Sequence, residues 1–201
     1  HIAGPYCSKL FADFGADVIK VERPETGDPS RYEGPFPGDI AHPEKSGLFM
    51  HLNTNKFGVT LNLKSTQGIE ILNKLAQDSD IIIENFRPGV LQSLGLDYDL
   101  LSQHNPRLVL THISNFGQTG PYKDRPGFGT IAECMSGYVA MTGFQGSPPV
   151  LPPVPLADEI AGVFGAMSAM MALYHRDTGL DGKGQVVDLS LFEPLFRLCI
   201  P

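Results

Sequence analysis

The sequence has few cysteines, and their arrangement excludes two common kinds of site. Cys7, Cys134 and Cys199 are odd in number, and no two of them form a CxxC pair. A disulfide framework and a structural zinc site are therefore not expected, and we interpret the three as buried, reduced thiols. The scattered acidic residues have no metal-ligand spacing either, so we predict no metal site.

Features typical of several other protein classes are also missing. No apolar run approaches the roughly 18 residues of a membrane-spanning helix, and no signal peptide is visible. The formal net charge is -7 without a basic stripe, which argues against a nucleic-acid partner. No GxGxxG follows a predicted strand and no GxxxxGK[ST] occurs. This argues against a dinucleotide-binding oxidoreductase, although Glu22 ends a predicted strand.

The overall composition is that of an ordinary globular domain. With 201 residues, 42% hydrophobic and 18% charged, the chain can bury one sizeable core. Its 22 glycines and 17 prolines are scattered at loop positions without a period. An acidic protein that binds an anionic ligand must gather its few cations at one site, so individual Lys and Arg residues become candidates.

Predicted strands and helices alternate along the chain. We predict strands at 16–22, 59–63, 81–83, 108–113 and 185–189. We predict helices at 6–14, 67–77, 88–94, 98–104, 131–140 and 158–175, and a long surface loop at 23–47. The Ile run at 81–83 is typical of a strand in a parallel sheet. The alternation predicts an α/β fold with a mostly parallel, Rossmann-like sheet and flanking helices.

The longest predicted helix begins with a candidate nucleophile. Asp158 follows a proline-rich loop, which places it at the helix N-cap or in the first turn, where free N–H groups stabilise a carboxylate. Small residues then recur along one face, at Ala161, Gly165, Ala169 and Ala172. They predict close approach by a neighbouring element, which would fix the helix. A carboxylate positioned in this way can attack a thioester carbonyl.

Short segments of distinctive sequence recur over nearly the whole chain. They include GADVIKVE at 15–22, GDPSR at 27–31, ENFRPG at 84–89, FGQTGPY at 116–122, ADEIAG at 157–162 and TGLDGKGQ at 178–185. In number and order they resemble the family III CoA-transferases, also called the CaiB/BaiF family. That family includes formyl-CoA transferase and the carnitine CoA-transferases, and the α-methylacyl-CoA racemases share its fold.

The resemblance implies a transferase reaction with covalent catalysis. The aspartate of the family's Ala-Asp segment is the nucleophile, and it corresponds to Asp158. Its carboxylate would attack an acyl-CoA to form an aspartyl anhydride and then an aspartyl-CoA thioester, from which a carboxylic acid takes the CoA. Acyl-CoA and a carboxylic acid would be the substrates, with no tightly bound cofactor.

The same resemblance implies a set of CoA contacts. They are Ala3 near the CoA backbone, Arg23 beside the adenine or ribose, Leu61 and Lys64 in the adenine-nucleotide segment, and Asn85, Phe86 and Arg87 around the pantetheine and phosphates. The cations among them suit phosphate recognition. Two positions depart from the family pattern: Ser93 stands where formyl-CoA transferase has an arginine, and Ile2 replaces a glutamine. Polar contacts are not expected to carry over at these two positions.

Family members are longer than this chain and form interlocked, ring-like homodimers. We therefore predict that residues 1–201 are the N-terminal part of the CoA-binding large domain. The smaller domain and the second glycine-rich loop would lie beyond Pro201. A cytoplasmic location is expected, or a mitochondrial or peroxisomal one in a eukaryote.

Two alternatives remain within the same resemblance. A 2-methylacyl-CoA racemase uses a histidine–aspartate pair, with the histidine in a Gly-His-Asp segment. This chain has Gly127-Phe128-Gly129 there, and we interpret His112 and His175 as structural. The other alternative is a non-catalytic CoA-binding subunit. Such subunits usually lose the nucleophile, whereas this chain retains Asp158.

Overall fold

Five strands form two parallel sheets within residues 1–199, the part of the chain that the computed structural model describes. The strands are β1 Val18–Glu22, β2 Lys56–Thr60, β3 Ile81–Glu84, β4 Val109–Ser114 and β5 Val186–Ser190. The helices are α1 Ala3–Asp13, α2 Gly47–Asn53, α3 Thr66–Gln77, α4 Val90–Ser93, α5 Tyr98–His104, α6 Gly129–Met135, α7 Tyr138–Met141, α8 Leu156–Thr178 and α9 Phe192–Leu198. β1 pairs with β2, and the second sheet has the order β3-β4-β5. The predicted parallel α/β fold is confirmed.

One face of the three-stranded sheet is covered by α1 and α8. Ile113 of β4 and Leu189 of β5 are buried in one cluster with Ala157 and Ala161 of α8. Further along α8, Ala169 and Ala172 pack with Val109 of β4. Small side chains on this face let α8 lie close to the sheet, as its spacing predicted.

The glycines of α8 let α1 approach the helix backbone. A Cβ atom on Gly162 would lie 2.8 Å from Cδ1 of Tyr6, and one on Gly165 would lie 3.1 Å from Sγ of Cys7. Both neighbours belong to α1. The roughly 0.5–1 kcal/mol that a glycine costs inside a helix is therefore offset by contact with a second helix.

The opposite face of the sheet is covered by α3, α4 and α5. Leu110 of β4 is fully buried there with Leu96, Leu101 and Leu108. Ser65 caps the start of α3, where its Oγ accepts a hydrogen bond from the N–H of Gly68 at 3.1 Å. Helices on both faces give the sheet the layered arrangement of a Rossmann-like fold.

Helix α8 is long and apolar enough, by length and composition, to cross a membrane. The prediction that no apolar run approaches roughly 18 residues did not foresee this helix. A core helix has the same property, and α8 packs against α1, α6, α9, β4 and β5. Its outer face carries exposed large apolar side chains, namely Val163, Met167, Met170, Met171 and Tyr174.

The polar segment at 23–47 is more ordered than predicted. It contains short 3-10 turns at Pro29–Tyr32 and Pro37–Asp39. Arg31 bonds the carboxylate of Glu22 through Nε at 2.8 Å, and Lys20 bonds Asp28 at 2.7 Å. The segment is thus tied to β1 by buried charge pairs.

Several elements differ from the predictions. β2 ends at Thr60 and not at residue 63, because its partner β1 ends at Glu22 and the turn leading to Ser65 begins at Asn62. The helix predicted at 131–140 is two helices, α6 and α7, since Gly137 adopts φ +88° between them. Helices α2 and α9 were not predicted. Cys7 is buried as expected, but Cys134 is exposed and Cys199 is only half-buried.

Candidate active site

Asp158 lies in the first turn of α8. The helix begins at Leu156 after Pro155, whose side chain has no oxygen to cap it. The N-cap position predicted as one option for Asp158 is therefore wrong, and the first-turn option is confirmed. The positive end of the helix dipole favours the two carboxylates there, Asp158 and Glu159.

Burial raises the pKa of Asp158 to about 6, against an ordinary value near 3.8. The positive charge of His1 and hydrogen bonding from the Ala3 backbone lower this pKa, whereas the negative charges of Glu133 and Glu159 raise it. Desolvation is the largest cause. At neutral pH the group is ionised, but it is more basic than an ordinary aspartate. Such a carboxylate suits nucleophilic attack.

The start of α6 lies directly against the carboxylate of Asp158. A Cβ atom on Gly129 would collide with Oδ2 of Asp158. Only glycine leaves this oxygen in place, because any side chain would push it aside.

Asn115, after β4, is buried against Gly127, and neither its Nδ2 nor its Oδ1 has a hydrogen-bond partner in the described structure. Between the two glycines, Phe128 is 66% exposed.

The predicted contacts Ala3 and Asn85 meet next to Asp158. Ala3 is buried at the start of α1, and its backbone contributes a hydrogen bond to Asp158. A Cβ atom on Gly4 would lie 2.9 Å from Oδ1 of Asn85, so the segment after β3 touches the same helix start. The structure therefore places Asn85 against Gly4, next to the residue whose backbone bonds Asp158.

A second group of predicted contacts forms where β1 and β2 end. The N–H of Leu61 donates to the carbonyl of Glu22 at 3.0 Å, which places Leu61 beside Arg23. Lys64 follows in the turn before α3, where its own N–H donates to Oδ1 of Asn62. The side chains of Arg23 and Lys64 are exposed. Two cations thus stand at the carboxyl end of this strand pair.

The remaining predicted contacts, Phe86 and Arg87, follow β3 but differ in environment. Phe86 packs on the core beneath α4 and α5, on the opposite sheet face from α8. Arg87 is exposed and lines a cavity of about 330 Å³ with His112 and Asp188. The structure does not bring these two side chains to Asp158.

The segment that follows β3 is fixed by a buried pair. Glu84 contacts Nδ1 of His112, the residue opposite it on β4, and accepts a hydrogen bond from the N–H of Phe86 at 2.7 Å. Asp188 stands opposite His112 on β5 and accepts from the N–H of Gln118. This pairing explains His112 as a structural residue.

The histidines expected to be structural both lie away from Asp158. His112 belongs to the strand face that packs towards α3 to α5, whereas α8 covers the other face. His175 lies in the last turn of α8, about 25 Å from Asp158 by the rise of 17 residues. His1, which sequence reasoning did not consider, is the histidine whose charge acts on Asp158.

Sequence reasoning also missed Glu133. Its side chain is 3% exposed in α6, and its Oε1 accepts a hydrogen bond from the N–H of Ala157 at 3.2 Å. A signal was present, because Gly129, Ala132 and Glu133 have helical spacing and all three are buried. An acidic residue on such a small-residue face points to a buried partner.

Comparison with known proteins identifies the family of this chain. The family model described as CoA-transferase family III matches residues 1–201. Succinyl-CoA–D-citramalate CoA-transferase of Chloroflexus aurantiacus is 41% identical over 98% of this chain and 48% of its own length. Formyl-CoA:oxalate CoA-transferase of Escherichia coli is 35% identical over 98% and 46%.

A solved structure has the same fold. The crystal structure of a CAIB/BAIF family protein from Brucella suis superimposes with a TM-score of 0.90 at 34% identity, covering 98% of this chain and 51% of that one. The chain therefore spans about half the length of the relatives that it matches. From the family model that matches its whole length and from the fold that it shares with a solved member, the chain belongs to family III of the CoA-transferases.

Proposed function

We propose that the complete protein moves CoA from an acyl-CoA to a carboxylic acid, with Asp158 as the nucleophile. One observation carries the proposal. Asp158 is a desolvated carboxylate, with its pKa raised to about 6, whose Oδ2 lies against the backbone of Gly129. The carboxylate is thus charged at neutral pH, basic, and not covered by a side chain from α6.

The reaction consists of exchanges at two carbonyl groups. An oxygen of Asp158 attacks the thioester carbon, the C–S bond breaks, and CoA thiolate leaves behind an acyl-aspartyl anhydride. The thiolate then attacks the aspartyl carbonyl, so that the first carboxylic acid departs and an aspartyl-CoA thioester remains. The acceptor carboxylate repeats the two steps in reverse order and leaves as its own CoA thioester. No proton or electron is gained or lost overall.

The cations near the strand ends support a role in holding CoA. Arg23, Lys64 and Arg87 are exposed, and in residues 1–199 none of them forms an ion pair. They are therefore available to phosphate groups, which guanidinium and ammonium groups bind through charge-assisted hydrogen bonds. Ala3 and Asn85 would face the pantetheine end, since Ala3 bonds Asp158 through its backbone and Asn85 lies against the adjacent Gly4.

The chain is proposed to be the nucleophile-bearing part of a longer, dimeric enzyme. It spans 48% of its Chloroflexus relative, and other Chloroflexus relatives are named as alpha and beta subunits. On α8, Met170 and Met171 expose apolar surface, which supports the proposal that another part of the complete protein covers this face. Size measurement of the complete protein tests this proposal, which predicts a dimer and is contradicted by a monomer.

A transfer assay tests the activity. Several relatives are named for succinyl-CoA or succinate, so succinyl-CoA is the first donor, with malate, citramalate, glutarate and oxalate as acceptors. The proposal expects a new acyl-CoA, seen by mass spectrometry, that depends on both substrates. Exchange of the α-proton in deuterated water without transfer would indicate a racemase. CoA binding without either reaction would indicate a non-catalytic subunit.

A further inference from the structure

A second carboxylate is buried within reach of the candidate nucleophile. Glu133 of α6 is 3% exposed, and its partner Ala157 is fully buried immediately before Asp158. The bond from the N–H of Ala157 to Oε1 of Glu133 measures 3.2 Å. Burying a carboxylate costs free energy unless it is hydrogen-bonded. The bond from Ala157 offsets part of this cost for Glu133.

The contact replaces a missing helix cap. The first N–H groups of a helix have no acceptor within the helix, and a side chain at the N-cap usually satisfies one of them. In α8 the N-cap residue is Pro155, which makes no such bond. Glu133 supplies the acceptor from a different helix, 24 residues earlier in the chain. The first turn of α8, which includes Asp158, is thereby tied to α6.

Helix α6 contacts the nucleophile at a second point. Gly129 lies one helical turn before Glu133 and touches Oδ2 of Asp158 with its backbone. The two contacts share one face of α6, so a shift of this helix would move both together. The position of Asp158 relative to a bound thioester thus depends on how α6 packs against the start of α8.

The charges that surround Asp158 come from three directions. His1 precedes α1, Glu133 comes from α6 and Glu159 belongs to α8 itself. The two carboxylates oppose ionisation of Asp158, whereas His1 favours it. Glu133 differs from Glu159 because it also bonds the backbone of the turn that carries Asp158.

We propose that Glu133 is a positioning residue, which holds the first turn of α8 through Ala157 and sets a second negative charge beside the nucleophile. The proposal rests on the role of Asp158 proposed above. Glu133 does not touch substrate in this account. Its carboxylate has two roles, which are to accept the hydrogen bond from Ala157 and to place a negative charge near Asp158. A variant that removes one role leaves the other measurable.

The experiment compares three variants of the complete protein in the transfer assay over a range of pH. Glu133→Gln keeps an oxygen acceptor for Ala157 but removes the charge. Its rate should stay within a few-fold of wild type on the plateau, while the acid limb, near pH 6 in wild type, moves to lower pH. Glu133→Ala removes both functions and should lower kcat about 100-fold with little change in KM for acyl-CoA, because Asp158 is misplaced.

Glu159→Ala is the matched control, since it removes a neighbouring charge without removing a bond to the α8 backbone. Its acid limb should move like that of Glu133→Gln, with kcat preserved. The proposal is overturned if Glu133→Gln leaves the acid limb unchanged, or if Glu133→Ala is no slower than Glu159→Ala. Should Glu133→Ala fail to fold, the pH profile of Glu133→Gln decides.

A separate measurement distinguishes this proposal from the one on which it rests. Wild-type protein treated with acyl-CoA and hydroxylamine should carry a hydroxamate on Asp158. If it does not, the proposed nucleophile is wrong and Glu133 has nothing to position. If it does, and the variants behave as wild type, only the role of Glu133 is refuted.

Discussion

Two clusters of buried carboxylates in this molecule have opposite surroundings. Beside β1, Glu22 is paired with Arg31 and Asp28 with Lys20. Burial raises the pKa of both acids, but bonds from the cations and the backbone outweigh it, and both pKa values are lowered. At the start of α8, burial raises the pKa of Asp158 to about 6, and its nearest charged neighbours include further carboxylates.

The difference separates a structural use of buried charge from a chemical one. A fully paired carboxylate stabilises the fold in its ionised form and is a poor nucleophile, because its electrons are engaged by donors. A desolvated carboxylate beside like charges reduces stability when ionised but remains basic. Perturbation of this second kind is typical of functional sites. The comparison thus supports the chemical role proposed for the start of α8 and a structural role for the segment after β1.

The largest effect should come from removing the nucleophile. Asp158→Ala in the complete protein should lower the transfer rate by at least about 1,000-fold, since the proposed covalent intermediate forms on this carboxylate. Steady-state rates with saturating acyl-CoA measure it. A rate within tenfold of wild type would show that the account of α8 is wrong.

The next effect should be on stability at the ion-pair cluster. Arg31→Met leaves Glu22 buried without its cation and should lower the free energy of unfolding by about 3–5 kcal/mol. Urea unfolding at pH 7.5 measures the change. Arg107→Met, which breaks an exposed pair with Asp177, is the control and should have a much smaller effect. Equal losses in the two variants would contradict the comparison.

A smaller effect on activity should follow from crowding Asp158. Gly129→Ala places a Cβ atom where Oδ2 of Asp158 lies, so the carboxylate must shift, and kcat should fall about 10- to 100-fold. Gly58→Ala in β2 is a matched control, because a Cβ atom there meets nothing within 4 Å. The two variants should unfold at similar temperatures. Full activity of Gly129→Ala would show that the contact is not needed.

The smallest effect should be a difference in the pH dependence of stability. Because the folded-state pKa of Asp158 is raised, the stability that this group contributes is present below about pH 4 and lost as pH rises through 6. Asp158→Asn should therefore raise the unfolding free energy at pH 8 by about 3 kcal/mol and leave it little changed near pH 4. Thermal unfolding at both pH values measures this.

Asp28→Asn should show the reverse behaviour. The folded-state pKa of Asp28 is lowered by Lys20, so its contribution is present above about pH 4 and disappears as pH falls. This variant should be less stable than wild type at pH 8, and the gap should narrow in acid. Destabilisation by Asp158→Asn at pH 8 would contradict the contrast between the clusters.

Sequence reasoning reached those parts of the molecule that local patterns determine. The spacing of Ala161, Gly165, Ala169 and Ala172 predicted the packed face of α8, because helical periodicity is visible within one element. The proline-rich loop before Leu156 located the start of that helix and hence Asp158. The parallel sheet followed from the alternation of strands and helices.

The misses involve partners that lie far apart in the chain. Glu133 accepts a hydrogen bond from Ala157 of another helix, and the local spacing around Glu133 does not identify that partner. In the sequence, Asp28 and Arg31 belong to a predicted polar surface loop. In the structure they form ion pairs with Lys20 and Glu22 of β1. The position of β2 depends on its register with β1, where Glu22 stands opposite Thr60. Tertiary contacts decide each of these features.

The most direct test of the central claim is chemical trapping in the complete protein. The protein is incubated with acyl-CoA and hydroxylamine, digested, and analysed by peptide mass spectrometry. The account predicts a hydroxamate on Asp158, and none on the paired acids Glu22 and Asp28. Transfer that proceeds with Asp158 unmodified, or with the hydroxamate on another carboxylate, would contradict it.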